Sequence, residues 1–274
     1  PKDIEKYYPS NYLSFSSGKE SLLRKYLLKK RDKYAMTGKG LIGKLLFNRF
    51  DYPDFYAWFS GVNIDKNDSI LDIGCGNGRL LLKLQRAGFR KLLGIDPFIK
   101  EEIVYNKNLR ILKKNLSDVQ NLSFDWVMLH HVFEHMENPH EAFVLLKKIV
   151  KKNGNVLIRI PLVDSYVWQK YKTDWVQLDP PRHYFLHSVK SIKYLSDKYG
   201  FKINKIIYDS TSFQIWGSEQ YKRQIPLMSN NSFFVNRNAS IFSRADMQLY
   251  KEQTRELNKN REGDAACFYL QNMN

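Results

Sequence analysis

The sequence has little cysteine, few acidic residues relative to basic ones, and no long apolar run. Its 274 residues include only two cysteines, Cys75 and Cys267. Because Cys75 lies inside a glycine-rich turn, we expect no structural disulfide, and two reduced thiols are typical of a cytoplasmic protein. No apolar stretch approaches the roughly 20 residues that a membrane-spanning helix needs. The first residues also lack the pattern of a secretory signal, so we expect a cytoplasmic location.

Acidic residues are scarce, since 28 aspartates and glutamates stand against 44 lysines and arginines and leave a formal net charge of +16. The excess is concentrated in residues 19–49, hereafter the basic segment, which contains ten basic residues and two acids. Such an imbalance favours anionic partners: phosphates, nucleotides, nucleic acid or a membrane surface. A solvated face that serves solubility is the alternative.

Strand-like and helix-like segments alternate through residues 69–160. The runs SILDI, KLLGID, LRILKK, FDWVMLH and NVLIRIP predict five strands, and KINKIIYD and AACFYL predict two more. Between them, NGRLLLKLQRAG and NPHEAFVLLKKIVKKNG predict helices that end at Gly88 and Gly154, and SVKSIKYLSDKYGF predicts one that ends at Gly200. This order predicts an open, mostly parallel, seven-stranded Rossmann-like sheet with helices on both faces.

Several segments fall outside this alternation. Residues 1–60 predict a basic N-terminal helical segment, and residues 61–274 predict one domain. Within that domain, insertions near residues 161–187 and 209–262 are long enough to be functional additions, and we expect them to form a lid.

The stretch ILDIGCGNGRLL places glycines at every second position after a predicted strand. The turn contains Asp72, Gly74, Cys75, Gly76 and Gly78. The third glycine of the dinucleotide fingerprint is replaced by Arg79, and no Lys-Ser/Thr pair follows, so neither a dinucleotide site nor a phosphate loop is predicted. A ligand that approaches glycine backbone closely without a pyrophosphate is favoured instead.

A second acid, Asp96 in LLGIDP, follows the second predicted strand, 24 residues after Asp72. A carboxylate there can accept both hydroxyls of a ribose. Asp72 can receive charge-assisted contacts from an ammonium group. A ligand with a ribose end and an amino-acid end fits both, and S-adenosylmethionine (SAM) has this composition.

These motifs, together with FDWVMLHHVFEHMENPHEAFVLLKKIVKKNGNVLIRIP, resemble class I SAM-dependent methyltransferases over about residues 60–208. The resemblance implies SAM as cofactor. The cofactor contacts predicted from the motifs and the resemblance are Asp72, Gly74, Cys75, Gly76, Gly78, Asp96, Pro97, Asn115, Leu116 and His130. The flanks YYPSNY, DWVQLDPPRHYFLH and DSTSFQIWGSEQY resemble a bacterial subgroup associated with surface-glycan gene clusters, which implies O-methylation of a sugar or sugar-phosphate.

Four of the six histidines lie in LHHVFEHMENPH. A hydroxyl acceptor must lose a proton, and a neutral histidine can take it, so we predict His131 as the general base and His183 as second choice. Glu134 and His135 complete the predicted catalytic set. Some relatives in this family carry E-x-x-E-H with a divalent metal. Because His131 replaces the first glutamate, we predict no bound metal.

Aromatic and charged residues are interleaved in the two insertions, as suits a sugar ring or a nucleotide base. We predict substrate contacts at Trp175, Asp179, Arg182 and Trp216. The expected acceptor is an anionic, sugar-containing or nucleotide-linked molecule, held between the glycine-turn domain and the two insertions. Alternatives are methylation of RNA or another small molecule, and a non-catalytic regulatory subunit that keeps the fold. No DNA partner is expected.

The run SLLRKYLLKKRDKY in the basic segment predicts an amphipathic helix with Leu22, Leu23, Tyr26 and Leu27 towards one side. This helix could contact the anionic inner face of the membrane as a peripheral surface, or pack on the domain and close over the cofactor. We favour packing.

Overall fold

A computed structural model describes residues 21–50, 54–59, 62–238 and 241–273. The helices in these ranges are α1 (Leu22–Thr37), α2 (Leu41–Arg49), α3 (Asp54–Phe59), α4 (Arg79–Ala87), α5 (Pro139–Ile149), α6 (Tyr166–Tyr171), α7 (Val189–Lys198), α8 (Phe213–Lys222) and α9 (Arg244–Lys259). The strands are β1 (Ser69–Ile73), β2 (Lys91–Ile95), β3 (Ile103–Asn106), β4 (Leu109–Leu112), β5 (Phe124–His130), β6 (Val150–Pro161), β7 (Phe201–Tyr208) and β8 (Ala265–Asn272). No helix of the described ranges is both long and apolar enough to span a membrane.

The strands form one sheet in the order β3-β4-β2-β1-β5-β6-β8-β7. Strand β1 pairs in parallel with both β2 and β5, and β2 pairs in parallel with β4. The strand order therefore reverses at β1, and the carboxyl ends of β1 and its neighbours are where open α/β sheets bind ligands. The predicted Rossmann-like α/β fold is confirmed.

The sheet among the described residues has eight strands, whereas the sequence predicted seven. The additional strand is β3, a four-residue edge strand that pairs antiparallel with β4. Its residues are mostly exposed, so it lacks the apolar run that identified the buried strands. Helix α5 also ends at Ile149, before the predicted Gly154, because β6 begins at Val150 and residues up to Gly154 extend that strand.

Backbone contacts divide the chain into two compact units. Unit 1 comprises residues 1–130, 141–157 and 271–274, and unit 2 comprises residues 131–140 and 158–270. Strands β6 and β8 contribute residues to both units. The predicted boundary at residue 60 stays a prediction.

The core of unit 1 surrounds β1 and β5. Ile70, Leu71, Val127 and Leu129 are fully buried. Helix α4 buries one stripe, formed by Leu81, Leu84 and Ala87, and ends at Gly88, which adopts a left-handed conformation as predicted. Continuous apolar strands are typical of parallel sheets with both faces covered. Because β1 is buried in this way, the turn that follows it is held in place.

The core of unit 2 contains a residue that the sequence predicted to bind substrate. Trp175 is 1% exposed and packs among Val167, Tyr171, Ile215 and Leu257. Its indole Nε1 donates a hydrogen bond to Asp264 at 2.9 Å. Because the ring is enclosed, no aromatic face remains for a sugar, and we reassign Trp175 from substrate contact to core.

Candidate active site

In unit 1, the glycine turn connects β1 to α4 through three left-handed residues. Gly74, Gly76 and Gly78 have φ of 65°, 55° and 74°. Residues other than glycine rarely adopt this backbone conformation without strain, which explains why glycine recurs at every second position. The Gly74 N–H donates to the Ile95 carbonyl at 2.8 Å, so the turn is tied to the end of β2.

Asp96, directly after β2, orders the same turn. Its Oδ2 accepts from the Gly76 N–H at 2.8 Å, and its Oδ1 accepts from the Phe98 N–H at 2.8 Å. The Ile99 N–H is a third backbone donor to this carboxylate, which has about four lone pairs, so the side chain can still accept a hydroxyl hydrogen. The neighbouring Pro97 belongs to the short turn that carries Phe98.

Asp72 lies near the end of β1 and is almost fully buried. Desolvation, with a smaller contribution from the charge of Asp96, raises the pKa of Asp72 to about 8. A nearby cation would stabilise the ionised form of this carboxyl group, because it would offset both the desolvation and the repulsion from Asp96. The structure thus leaves an acidic position suited to an ammonium group.

Two contacts that the sequence did not reveal support the turn. The Tyr105 hydroxyl, on edge strand β3, donates to the Asn77 carbonyl at 2.7 Å. Gly94 on β2 leaves space for Cys75, since a Cβ at this position would lie 2.5 Å from the Cys75 Sγ. Burial raises the pKa of the Cys75 thiol well above its ordinary value, so Cys75 packs rather than reacts.

The remaining predicted cofactor residues lie at strand ends of unit 1. Asn115 caps a short 3₁₀ turn, and its own N–H donates to Asp118 at 2.8 Å. Leu116 follows in that turn and is buried. His130 ends β5 and contacts the Trp58 ring, with 4.3 Å between ring centroids. Trp58 lies on α3 and was not predicted, because a lone tryptophan before the alternating region has no distinguishing pattern.

In unit 2, His131 is held between a cation and a carboxyl group. Arg159 Nη1 donates to His131 Nε2, and His131 Nδ1 lies 3.2 Å from Glu134 Oε1. Since arginine only donates, Nε2 must be the acceptor, and Nδ1 carries the hydrogen that Glu134 accepts. On the other side of Arg159, Asp209 accepts a hydrogen bond from the Arg159 Nε at 2.6 Å.

This arrangement argues against the predicted role of His131 as general base. Desolvation and the Arg159 charge lower the pKa of His131 to about 3, with Asp209 acting in the opposite direction. Both ring nitrogens are already engaged, so neither offers a lone pair to an acceptor proton. His131 also has φ of 55°, a left-handed conformation that few residues other than glycine adopt. The catalytic role of His131 stays a prediction, and its contact with Glu134 favours a positioning role instead.

The three other predicted catalytic residues cluster together. Glu134 is fully buried, and its Oε1 lies 4.0 Å from His183 Nε2. His135 Nδ1 lies 2.8 Å from the Arg182 carbonyl, which orients the ring, and the His135 and His183 rings are 4.7 Å apart. Desolvation lowers the pKa of His183 to about 4, although the charge of Glu134 opposes this.

The same cluster is a set of potential metal ligands. One ligand atom from each of Glu134, His135 and His183 falls within 4.8 Å of the others. One carboxylate and two imidazoles suit zinc, iron or manganese better than magnesium. The sequence-based prediction of no metal stays a prediction.

The predicted substrate residues other than Trp175 occupy different environments. Asp179 Oδ1 accepts from Arg182 Nη2 at 2.7 Å, and both side chains are about a quarter exposed. Asp179 has φ of 46° and precedes a cis peptide bond between Pro180 and Pro181. Trp216, by contrast, is buried against the Phe213 and Phe233 rings. Asp179 and Arg182 are therefore the accessible polar pair near His183.

Comparison with known proteins places this geometry in context. The model of a family described as "Methyltransferase domain" matches residues 47–206. A ubiquinone biosynthesis O-methyltransferase from Dictyostelium discoideum is 30% identical over 109 residues, which cover 33% of this chain and 34% of that protein. A tRNA U34 carboxymethyltransferase from Aliivibrio salmonicida is 27% identical over 158 residues, covering 52% of this chain and 47% of that protein. The chain thus spans about half or less of the length of these two relatives.

Solved structures share the fold at low sequence identity. An S-adenosylmethionine dependent methyltransferase from Mesorhizobium loti superposes with a TM-score of 0.52 and 12% identity, covering 81% of this chain and 99% of that one. A methyltransferase solved with the Haloferax volcanii Trm112 activator superposes with a TM-score of 0.53 and 14% identity. The superposition covers 89% of this chain and 98% of that one.

Proposed function

Because the chain belongs to the methyltransferase domain family, with SAM as its cofactor, we propose that it transfers methyl groups to an oxygen atom of an anionic, sugar-containing acceptor. The observation that carries the methyltransferase assignment is the intact arrangement of unit 1. Asp96 orders the glycine turn through Gly76 and can still accept a hydrogen bond, while no cation of the described residues offsets the burial that raises the pKa of Asp72.

The described residues fit the cofactor. Asp72 would pair with its ammonium group, Asp96 would accept its ribose hydroxyls, and the backbone at Gly74 and Gly76 would allow close approach. When bound, SAM supplies a methyl group on a positively charged sulfur. The task of the protein is then mainly to orient the acceptor oxygen and to remove its proton.

We assign proton removal to His183. Its ring is neutral at pH 7, the form that can accept a proton. It differs from His131 in that the Glu134 charge opposes the desolvation that lowers its pKa, and no arginine is bonded to its Nε2 among the described contacts. Glu134 and Asp179 carboxylate oxygens lie 4.0 Å and 3.7 Å from His183 Nε2, so both would stabilise the imidazolium as it forms. Because His131 follows His130 directly in the chain, this cluster begins where β5 ends.

Support for an anionic sugar acceptor comes from charge and from resemblance. Arg182 keeps a quarter of its side chain exposed and presents a planar guanidinium, which suits phosphate or carboxylate groups. The net charge of +16 attracts anions generally. The segments around Asp179 and Trp216 resemble the glycan-associated subgroup described above.

The test is methyl transfer from labelled SAM to a panel of nucleotide sugars, sugar phosphates and bulk tRNA. We expect incorporation into a charged sugar compound, and none with Asp96→Ala, which removes the ribose acceptor. Arg182→Ala should raise the KM for the acceptor and leave SAM affinity unchanged. The matched control is Arg223→Ala, an arginine that is likewise paired with a carboxylate, Glu219, at 2.6 Å. Transfer only to an uncharged small molecule would contradict the acceptor class.

RNA methylation is the second candidate, favoured by the tRNA-modifying relative and the basic charge. Incorporation into tRNA alone, with Arg182→Ala silent, would establish it instead. A chain that binds SAM with no turnover on any class would point to the regulatory alternative.

A further inference from the structure

Helices α1 and α2 present large apolar side chains to solvent in unit 1. On α2, Leu41 is 84% and Leu45 is 71% exposed, and Ile42 is half exposed. Positions i, i+1 and i+4 lie on one side of a helix, so these three side chains share a face. At the start of α1, Leu22, Leu23 and Tyr26 repeat the same spacing and are also at least half exposed. These six residues are hereafter the apolar tips.

The apolar tips are not required for packing, because other residues attach the two helices. Gly43 lies against the Lys30 carbonyl and Tyr34, where any Cβ would clash with backbone. The Tyr34 and Phe47 rings are 5.6 Å apart, and Asp32 accepts from Arg86 on α4 at 3.0 Å. Helices α1 and α2 thus pack within unit 1, while a second side of each helix stays exposed; closure over the cofactor stays a prediction.

Within residues 21–50, the charged side chains around the apolar tips are almost all basic. The only acid in residues 21–50 is Asp32, which is fully buried and paired with Arg31 and Arg86. The exposed cations of the two helices and their connection are Arg24, Lys29, Lys30, Lys33, Lys39, Lys44 and Arg49. Within the described residues 21–50, both helices therefore expose leucines and cations but no acid.

This combination distinguishes between partners. A second copy of the chain would bring like charges together, which is unfavourable. The phosphate backbone of RNA would pair with the cations but would not bury the six apolar side chains. An anionic lipid surface satisfies both, since leucines insert at the acyl boundary while lysines and arginines contact head groups.

We propose that α1 and α2 form a peripheral docking surface for anionic membranes. The apolar tips enter the interfacial region, and the exposed cations neutralise lipid phosphates. This inference does not depend on the identity of the methyl acceptor, because it concerns residues outside the glycine turn and the His183 cluster.

Co-sedimentation of the full chain with vesicles tests the proposal. We expect binding to mixed phosphatidylcholine–phosphatidylglycerol vesicles, little binding to pure phosphatidylcholine, and weakening by added salt. The double variant Leu41→Gln, Leu45→Gln should bind vesicles about tenfold or more weakly. Two apolar side chains that would be buried in the lipid interface are then lost. Glutamine keeps helix propensity, and circular dichroism would verify the fold.

The matched control is Leu249→Gln on α9, which removes a similarly exposed leucine and should bind vesicles as the unchanged chain does. The proposal is overturned if the full chain does not bind mixed vesicles, or if the double variant binds them equally well. It is also overturned if the chain dimerises in solution and the double variant becomes monomeric, because the surface would then belong to a second copy. Measured SAM affinity should be equal in all variants, which separates this test from that of the proposed function.

Discussion

At the scale of single residues, the identity of the proton acceptor depends on which nitrogen lone pairs are free. His131 has the better position in the sequence, next to the strand end, but Arg159 occupies its Nε2 and Glu134 accepts from its Nδ1. His183 Nε2 instead lies between two carboxylates at distances longer than a hydrogen bond. Neither carboxylate therefore occupies the Nε2 of His183 through a hydrogen bond, which favours this nitrogen as the proton acceptor.

Substitution of the two histidines should separate these roles. We expect His131→Asn to keep methyl transfer within about tenfold, because asparagine tolerates the left-handed backbone and still donates to Glu134. His183→Ala should lower kcat by roughly 10²–10⁴, the usual contribution of a general base. His140→Ala, which removes an exposed histidine bonded to the Tyr199 hydroxyl, is the control and should be silent.

The pH profile provides an independent check on His183. A base works when deprotonated, so activity should fall only as pH falls through about 4, the pKa to which desolvation lowers this ring. At saturating SAM, kcat should thus be flat through the ordinary histidine range around 6.5. An acid limb centred near that ordinary value, still present in the His183→Ala variant, would contradict the assignment.

Asp72 makes a second prediction at this scale. In the free protein its pKa is raised to about 8, so much of it is protonated at neutral pH. Binding of an ammonium group favours the ionised form, so SAM binding should release protons, and affinity should rise between about pH 6 and pH 8. Calorimetry in buffers of different ionisation enthalpy measures the release. Asp72→Asn should bind more weakly and lose the pH dependence; an unchanged dependence would exclude Asp72 as its source.

At the scale of structural elements, the glycine turn is shaped by strands on both sides. Strand β2 contributes Gly94, which leaves room for Cys75, and edge strand β3 contributes the Tyr105 hydroxyl to Asn77. The register of β1 with β2 sets Asp72 opposite Gly94. The geometry of the glycine turn therefore depends on contacts with residues up to 28 positions away in the chain, which only strand pairing brings together.

A methyl group at Gly94 should test this dependence. In Gly94→Ala the added Cβ would lie 2.5 Å from Cys75 Sγ and 2.6 Å from Ile111 Cδ1, so the turn must shift. We expect a loss of about 1–3 kcal/mol in stability, the usual range for overpacking, and weaker SAM binding. Adding Cys75→Ala and Ile111→Val removes both opposing atoms and should restore much of the loss. No recovery in urea denaturation would show that the clash is not the cause.

At the scale of the whole molecule, net charge and buried contacts affect the binding of different ligands. The net charge of +16 acts on any anionic acceptor from a distance, whereas recognition of the cofactor rests on a few buried groups in unit 1. Long-range attraction between exposed charges is screened beyond about 8–10 Å at physiological ionic strength, but buried contacts are screened much less.

Ionic strength should therefore affect acceptor and cofactor unequally. Raising the potassium chloride concentration should increase the KM for an anionic acceptor several-fold and leave SAM affinity nearly constant. The measurement is steady-state kinetics at a series of salt concentrations, with calorimetry of SAM as the control. Equal salt dependence of both ligands would contradict this division.

The sequence by itself determined the α/β fold, the glycine turn, its two acids and the cofactor class. These features are local: glycine spacing reports backbone conformation, and apolar runs report buried strands. Tyr105, Gly94 and Trp58 could not be predicted, because their roles arise from pairing and packing between distant segments.

Only the tertiary structure decided which groups surround the histidines and tryptophans. Arg159 lies on the strand beside His131 and bonds to the Nε2 of this expected base, while Trp175 is enclosed by α6, α8 and α9 residues. Both outcomes depend on which side chains surround a group, and therefore on desolvation and on occupied lone pairs. Sequence patterns report the chemistry that a residue can perform, but the fold determines whether its atoms remain available to perform it.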